Sequence, residues 1–341
     1  MIKIGIIGCG HWGPNFVRTF NKLKDTTVKY VCDLDSKRLR EIKKRFSSVF
    51  TSTSFRDILK DSEIDAVVIA TPAVTHYQLA KEALKFGKNV LIEKPFVLNP
   101  QEANYLIRLA KRVNKIIMPG HIFEYHDGVR IIRNYTREGK LGKIYYMYSR
   151  RTNLGPIRND VNAIWDLALH DISIFNFILD AVPLKISADG FSYLRSHIED
   201  VGFITLYYPQ DIIAHIHVSW LDPRKIREIV MVGDKKMLMF DDLDGNFPLK
   251  FYDKRVMKKK YERPYYTFEE FKMIIKDGQV STPLIKIREP LLVECESFLE
   301  YIKKGRVPEE VLKRGIDVVK ILKGIESSLK NKGKEINLSI R

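Results

Sequence analysis

Cysteine and long apolar runs are both scarce in this chain of 341 residues. Its cysteines, Cys9, Cys32 and Cys295, are too few and too far apart for a disulfide framework or a zinc cluster, so no metal site is predicted. No apolar run approaches the ~20 residues of a membrane-spanning helix. Residues 1–7 also lack the basic segment and apolar core of a signal peptide. A cytoplasmic protein with no membrane partner is therefore expected.

Acidic residues are outnumbered, with 42 Asp and Glu against 58 Lys and Arg, a formal net charge of +16. Such an excess invites a nucleic-acid interpretation, but the basic residues are spread along the whole chain and no nucleic-acid-binding module stands out. The densest basic run, residues 254–260, is short and is predicted as a solvated hairpin. We expect an attraction for anionic small molecules and no nucleic-acid partner.

What the chain does have is a glycine-rich turn between a strand and a helix. Residues 2–7 predict a buried strand, and residues 14–20 predict a helix with Pro14 at its first position. The turn between them has Gly-x-Gly-x-x-Gly spacing, which lets the backbone and the helix N-terminus approach a pyrophosphate. The same spacing also occurs in plain glycine turns. The predicted dinucleotide-binding residues of this turn are Gly8, Gly10, His11, Trp12 and Gly13.

The second predicted strand, residues 28–32, ends at Asp33. A dinucleotide-binding fold places here the acid that binds the adenosine ribose hydroxyls, and a carboxylate repels the 2′-phosphate of NADP. Asp33 therefore favours NAD as the cofactor. Ser36, Lys37 and Arg38 follow and could bind a phosphate, which leaves NADP as the alternative and makes Arg38 a cofactor-binding candidate.

Further predicted strands, residues 66–70, 88–92 and 115–118, alternate with helices and indicate a parallel sheet covered on both faces. This doubly wound Rossmann domain is expected to span residues 1–121. Such sheets bind ligands at the carboxyl ends of their strands. The cofactor-binding candidates at these ends are Ala70, Thr71, Pro72, His76, Glu93, Lys94 and Pro95.

Lys94 is the candidate for chemistry at this edge of the sheet. A lysine at the end of a parallel strand beside a cofactor can donate a hydrogen bond to a substrate oxygen. A surface lysine in a turn is the alternative.

Residues 122–341 predict a second, α+β domain with an open, mainly antiparallel sheet, for substrate binding and oligomerisation. Its predicted strands include residues 212–220 and a last short strand over residues 335–339. A helix predicted over residues 164–179 places Asp166 and His170 four residues apart on one face. An imidazole near a carboxylate on a rigid element suits a general base. The alternative is that Asp166 only interacts favourably with the helix dipole and that His170 only contributes to packing.

Taken together, the motifs Gly8–Gly13, Glu93-Lys94-Pro95 and Asp166-x-x-x-His170 resemble those of the glucose–fructose oxidoreductase/inositol dehydrogenase (GFO/IDH/MocA) family, in order and spacing. The resemblance implies that Lys94, Asp166 and His170 are the catalytic set and that the open sheet makes an oligomer contact. Two departures stand out. Ala168 replaces a common glycine, and residues 124–127 replace a segment that often carries Arg and Pro.

Within the family, residues 153–162 and Trp165 resemble members that oxidise UDP-linked N-acetylamino sugars at the 3-position. Arg151 and Arg158 lie on the approach to Asp166, and arginine binds a diphosphate bidentately. An NAD-dependent oxidoreductase that removes hydride from a nucleotide sugar is therefore expected. A free sugar or inositol is the alternative substrate. A protein that binds the dinucleotide as a sensor, without catalysis, is the alternative to an enzyme. The substrate-binding candidates are Lys94, Tyr125, Arg151, Asn153, Arg158, Asn162, Trp165 and His170.

A homo-oligomer, either a dimer or a tetramer, is also expected, because helices cannot cover the whole second sheet. The side chains predicted to contribute to the contact are Tyr146, Phe203, Tyr207, Ile216 and Val218.

Overall fold

The computed structural model describes residues 1–158, 160–256, 266–269 and 275–338. Its contacts divide the chain into two compact units. The first contains Met1–His126 and Arg288–Lys320, and the second contains Asp127–Ile287 and Ile321–Arg341. Within the described ranges, every helix is too short or too polar to cross a bilayer.

Strands and helices alternate along the first unit. The strands are β1 (Ile2–Ile7), β2 (Thr26–Cys32), β3 (Phe50–Ser52), β4 (Ala66–Ile69), β5 (Asn89–Glu93) and β6 (Ile117–Gly120). The helices between them are α1 (Gly13–Lys22), α2 (Ser36–Arg45), α3 (Phe55–Lys60), α4 (His76–Lys85) and α5 (Pro100–Arg112). The sheet is fully parallel, in the order β3-β2-β1-β4-β5-β6.

The predicted doubly wound sheet is confirmed. Every residue of β4 and β5 is buried, as expected for strands with helices on both faces. The sequence did not predict β3 or α3. β3 has three residues at the sheet edge, two of them exposed, so its apolar pattern carries little information.

The first unit also takes in a segment from far along the chain. Phe298 of α8 (Pro290–Lys304) belongs to the same apolar core as Phe16 of α1. Lys303, near the end of α8, pairs with Asp25 at 2.5 Å. The division therefore differs from the single boundary expected after residue 121, because α8 buries its apolar side chains in the core of the first unit.

The second unit begins with α6 (Asp127–Arg137), contains α7 (Leu169–Leu179) and includes the end of α9 (Glu309–Lys330). Its strands are β7 (Ile144–Leu154), β8 (Lys185–Phe191), β9 (Val201–Tyr208), β10 (Ile212–Ser219), β11 (Leu221–Gly233), β12 (Met237–Asp241), β13 (Leu249–Val256), β14 (Ile275–Ser281) and β15 (Ile336–Asn337). They form a nine-stranded sheet in the order β14-β13-β12-β11-β7-β10-β9-β8-β15. The pair of β7 with β10 is parallel and the others are antiparallel, which confirms the predicted open, mainly antiparallel sheet.

The strands of this sheet alternate between a buried face and an exposed face. Ile216 and Val218 of β10 are each 0% exposed, so the prediction that they contribute to a contact between chains is wrong. Tyr146 and Phe203 lie on the exposed face, and Tyr207 is half-buried. Sequence alternation alone did not say which alternate residues face inward.

Two predictions extend beyond the described residues. Of the basic run 254–260, the structure describes the part up to Val256, where Lys254 pairs with Asp277 at 2.9 Å. The last strand was predicted over residues 335–339 and is observed at Ile336–Asn337, and residue 339 lies outside the described range.

Candidate active site

The glycine-rich turn connects β1 to α1 at the carboxyl edge of the first sheet. Gly8 has a φ of +102°, and a Cβ atom on it would lie 2.5 Å from the Ala70 carbonyl oxygen. A Cβ atom on Gly13 would lie 2.1 Å from the Gly8 carbonyl oxygen. Neither position can accept a side chain, so the turn packs closely against the end of β4 and against the start of α1.

The turn fits the pyrophosphate of a dinucleotide. At Gly10 the nearest described atom to an added Cβ is the Arg38 guanidinium nitrogen at 4.0 Å, so a ligand can approach the backbone closely. Helix α1 begins here with Pro14 in its first turn and directs its free N–H groups and partial positive charge toward this space. His11 is exposed, and Trp12, which it contacts edge-on, is half-buried.

Asp33 lies directly beside the same turn. Its Oδ2 atom accepts a hydrogen bond from the Cys9 N–H at 2.6 Å, and its Oδ1 atom accepts one from the Asp35 N–H at 2.8 Å. The Arg38 guanidinium lies 3.7 Å from Asp33 Oδ2 and is half-exposed. The carboxylate that favours NAD and the cation that could bind a phosphate therefore lie next to each other.

His76 links the ends of β4 and β5. One ring nitrogen lies 2.9 Å from the Thr71 carbonyl oxygen and the other lies 2.8 Å from the Pro95 carbonyl oxygen. The side chain is 1% exposed. Thus its visible role is to hold together two loops of the binding edge, Ala70-Thr71-Pro72 and Glu93-Lys94-Pro95.

Lys94 follows β5 and is half-buried. Its backbone N–H donates to the carboxylate of Glu93, a buried residue, at 2.7 Å. Because β1, β4 and β5 are neighbours in the sheet, the three strand ends meet at one edge as the sequence predicted. The roles of Lys94 and the other side chains there stay predictions.

The predicted helix over residues 164–179 differs in its first turn. Residues Ile164–Ala168 form a π-helical turn that leads into α7, so the regular α-helical spacing assumed for Asp166 and His170 does not apply across it. Asn162 caps the turn, since its side-chain oxygen accepts the Trp165 N–H at 2.9 Å. Asp166 therefore lies on the wide turn and His170 on the first turn of α7.

The Asp166 carboxylate has a donor on each oxygen. Arg158 donates to Oδ1 at 3.2 Å, and the Trp220 indole N–H donates to Oδ2 at 3.3 Å. The other nitrogens of the Arg158 guanidinium bind Asp160 at 2.7 and 2.9 Å. Arg158 thus bridges two carboxylates and belongs to the immediate surroundings of Asp166.

Arg151 has a different position from the one expected. Its side chain is 6% exposed and donates from two nitrogens to the Asp171 carboxylate, at 2.9 and 3.0 Å. This buried pair fastens α7, which carries His170, to β7. A guanidinium engaged in this way is unsuited to a substrate diphosphate, so we do not retain Arg151 as a substrate-binding residue.

The remaining substrate candidates also serve internal contacts. The Asn153 side chain donates to the Gly155 carbonyl, and the Asn162 amide donates to Glu199 at 2.5 Å. Trp165 is buried and its indole N–H donates to Glu326 at 2.7 Å. Tyr125 is buried in the first unit, where burial raises its pKa and its hydroxyl shares a hydrogen bond with Tyr301.

Sequence reasoning missed Trp220 and Asp171. Trp220 was placed at the end of a predicted strand, but its distance along the chain from Asp166 gave no sign of their contact. Asp171 is next to His170, and a charged residue within an apolar helix is a sign of a buried partner.

Two family models match this chain. An oxidoreductase family with an NAD-binding Rossmann fold matches residues 2–121, and the GFO/IDH/MocA C-terminal domain matches residues 129–239. The chain belongs to the GFO/IDH/MocA family. Its first unit is therefore an NAD-binding Rossmann domain, which confirms the predicted cofactor, NAD.

The curated relatives of this family member include dehydrogenases of a nucleotide sugar and of an inositol. It is 31% identical over 193 residues to the UDP-N-acetylglucosamine 3-dehydrogenase of Acidithiobacillus ferrooxidans, covering 55% of this chain and 58% of that protein. It is 23% identical over 206 residues to the myo-inositol 2-dehydrogenase of Thermotoga maritima, covering 59% of this chain and 62% of that protein. In both cases the match spans about three fifths of the relative's length.

The fold of this GFO/IDH/MocA member is shared with solved structures over nearly its full length. A crystal structure of GenD2 from gentamicin A biosynthesis, in complex with NAD, matches with a TM-score of 0.83. The sequence identity is 19%, and the match covers 99% of this chain and 96% of that one. At this identity the likeness shows the fold alone.

Proposed function

We propose that this protein is an NAD-dependent dehydrogenase that removes a hydride from a secondary alcohol on a sugar ring. The observation that carries the proposal is the position of Lys94, at the end of β5 and on the same sheet edge as the glycine-rich turn of an NAD-binding domain. A cation at that edge suits an oxygen on which negative charge develops.

The side chains divide the chemistry of the alcohol between them. NAD, when bound, accepts the hydride from the alcohol carbon. His170 takes the hydroxyl proton as general base, and Lys94 donates a hydrogen bond to the same oxygen. The Asp166 carboxylate accepts hydrogen bonds from Arg158 and Trp220, which fix its orientation. In this proposal the fixed carboxylate orients His170 or Lys94. Positioned acid–base groups of this kind typically contribute ~10²–10⁴-fold to the rate.

The substrate class that we propose is a UDP-linked N-acetylamino sugar, oxidised at the 3-position. Support comes from the match to UDP-N-acetylglucosamine 3-dehydrogenase and from the cationic balance of the chain, which attracts a dianion. Arg158 also binds carboxylates, but its side chain is 32% exposed whereas that of Arg151 is 6% exposed, so Arg158 is the arginine that we propose for the diphosphate. The match to myo-inositol 2-dehydrogenase supports the second candidate, a free sugar or inositol.

A screen for NADH formation with nucleotide sugars, free sugars and polyols tests both proposals. Turnover of UDP-N-acetylamino sugars, with calorimetric binding of UDP to the NADH complex, is the expected result. Good turnover of an unphosphorylated polyol without UDP binding would contradict the nucleotide-sugar substrate and leave the dehydrogenase in place. NAD binding with no turnover of any alcohol would favour a non-catalytic sensor.

We also propose that two copies associate through the exposed face of the second sheet. Tyr146, Phe203 and Ile213 present apolar surface there, with exposed fractions of 46%, 38% and 44%. Adjacent exposed apolar side chains on a sheet are typical of a protein–protein contact.

A further inference from the structure

Trp220, which follows β10, is the largest fully buried side chain in the described part of the chain, with 1% exposure. Its backbone is held from both sides. The Trp220 N–H donates to the Asp200 carbonyl at 2.9 Å, and the Trp220 carbonyl accepts the Gly155 N–H at 3.0 Å. Close packing and these two hydrogen bonds leave the indole one orientation.

That orientation directs the indole N–H at Asp166 Oδ2, 3.3 Å away. A second donor to this carboxylate, Arg158, differs in character. Its side chain is 32% exposed and divides its charge between Asp160 and Asp166. The indole is neutral, rigid and buried. The direction of its N–H is therefore fixed, whereas the direction of the Arg158 N–H groups depends on a long, flexible side chain.

We propose that Trp220 is a positioning residue, which holds the Asp166 carboxylate ionised and in a single orientation through its indole N–H. The inference rests on the proposed function, in which Asp166 belongs to the catalytic set. A hydrogen bond to the ionised form of a carboxylate stabilises that form. A carboxylate that is already oriented serves its catalytic partners without reorganisation during the reaction.

The same unit contains a comparable pair that has no such role. Trp165 donates its indole N–H to Glu326 at 2.7 Å, and Glu326 also binds Lys323 at 2.8 Å. That pair fastens the π-helical turn to α9 and does not involve Asp166. A hydrogen bond from an indole to a carboxylate therefore does not by itself make a tryptophan a positioning residue. The proposal for Trp220 depends on its acceptor being Asp166.

Trp220→Phe tests the proposal, because phenylalanine retains aromatic bulk and lacks the N–H donor. We expect kcat to fall about tenfold, the size typical of a hydrogen bond to a charged group, with KM changed less than about threefold. The acidic limb of the kcat profile should move to higher pH, because Asp166 has lost a donor that favours its ionised form.

Tyr208→Phe is the matched control. It removes a buried hydrogen bond to Asn176, 2.7 Å long, in the same unit and should leave kcat and its pH profile unchanged.

A measurement that does not need turnover accompanies the kinetics. In protein labelled with ¹³C at aspartate carboxyls, the Asp166 signal, assigned by its loss in Asp166→Asn, should titrate at higher pH in Trp220→Phe than in the wild type. If no sugar is turned over by the wild type, the proposed function fails, but this titration still decides whether Trp220 acts on Asp166.

A double-mutant cycle separates positioning from support of the fold. In the Asp166→Asn background, Trp220→Phe should lower kcat no further, because its effect passes through the carboxylate. The proposal is overturned if Trp220→Phe leaves kcat and the Asp166 titration unchanged. It is equally overturned if kcat falls by the same factor in both backgrounds while the titration stays where it was.

Discussion

The Asp33 carboxylate and the Arg38 guanidinium lie 3.7 Å apart and favour different cofactors. The carboxylate repels a 2′-phosphate, while the guanidinium attracts one. Asp33 is the better fixed of the two, because its oxygens accept the N–H groups of Cys9 and Asp35, whereas the Arg38 side chain is half-exposed. This difference in rigidity is the physical reason to expect NAD in preference to NADP.

Asp33→Ser, with Arg38 intact, should raise the ratio of kcat/KM for NADP over NAD by roughly tenfold or more, since repulsion of the phosphate is removed and its attraction remains. Steady-state kinetics with both cofactors measure the ratio. Asp35→Ser is the control, because Asp35 also lies 3.7 Å from Arg38 but caps α2 and does not bond to the turn. A wild-type protein that already prefers NADP would refute the assignment.

Lys94→Ala and His170→Ala should each lower kcat by ~10² or more, because each removes a group that acts on the reacting oxygen. The affinity for NAD, measured by calorimetry, should stay within a few-fold of the wild type. Near-normal turnover in either variant would show that the substituted residue is not an acid–base or oxyanion group.

At the level of elements, α8 combines apolar packing with a buried acid. Glu294 is 0% exposed, and neither carboxyl oxygen has a hydrogen-bond partner among the described residues. Burial raises its pKa well above the ordinary value, and the charges of Glu93 and Glu124 raise it further. The native state therefore keeps this proton at pH values where the unfolded chain has released it.

Glu294→Gln should remove a pH dependence of stability. For the wild type, the free energy of unfolding should fall as the pH rises above the ordinary Glu pKa of 4.5, because only the native state holds the proton. The variant should therefore gain stability relative to the wild type between pH 5 and pH 8, in urea unfolding followed by circular dichroism. Glu296→Gln, at an exposed position of the same helix, should leave the slope in place. If the free energy of unfolding changed with pH equally in Glu294→Gln and in the wild type, Glu294 would be ionised in the native state.

At the scale of the whole molecule, the second sheet has one face buried and one exposed. On the exposed face, Ile213 lies opposite Tyr146 across the parallel β10–β7 pair. Phe203 stacks on His217 with ring centroids 4.6 Å apart. We propose that these cross-strand pairs belong to the surface through which a second copy of the chain associates.

Phe203→Glu should weaken this association, because a carboxylate would have to be desolvated in the contact. In analytical ultracentrifugation at micromolar concentration, the wild type should sediment above its chain mass of 39.7 kDa and the variant should shift toward it. Phe86→Glu, at a position 43% exposed in the first unit, serves as the control and should sediment like the wild type. A wild type found only at the chain mass would rule out the contact.

The sequence by itself determined the features that depend on neighbouring residues. The glycine spacing, the alternation of strands and helices, and the polar residues at strand ends are local patterns. In a parallel sheet, such patterns lead to one arrangement of Gly8–Gly13, Thr71 and Lys94. That is why the Rossmann fold and its binding edge were predictable.

Tertiary structure alone decided the contacts between residues distant along the chain. Arg151 is committed to Asp171, Trp220 reaches Asp166, and α8 joins the first core, because burial requires each charge to find a partner and each apolar face to find cover. Residue types reveal those requirements, but which partner meets them depends on how the chain packs.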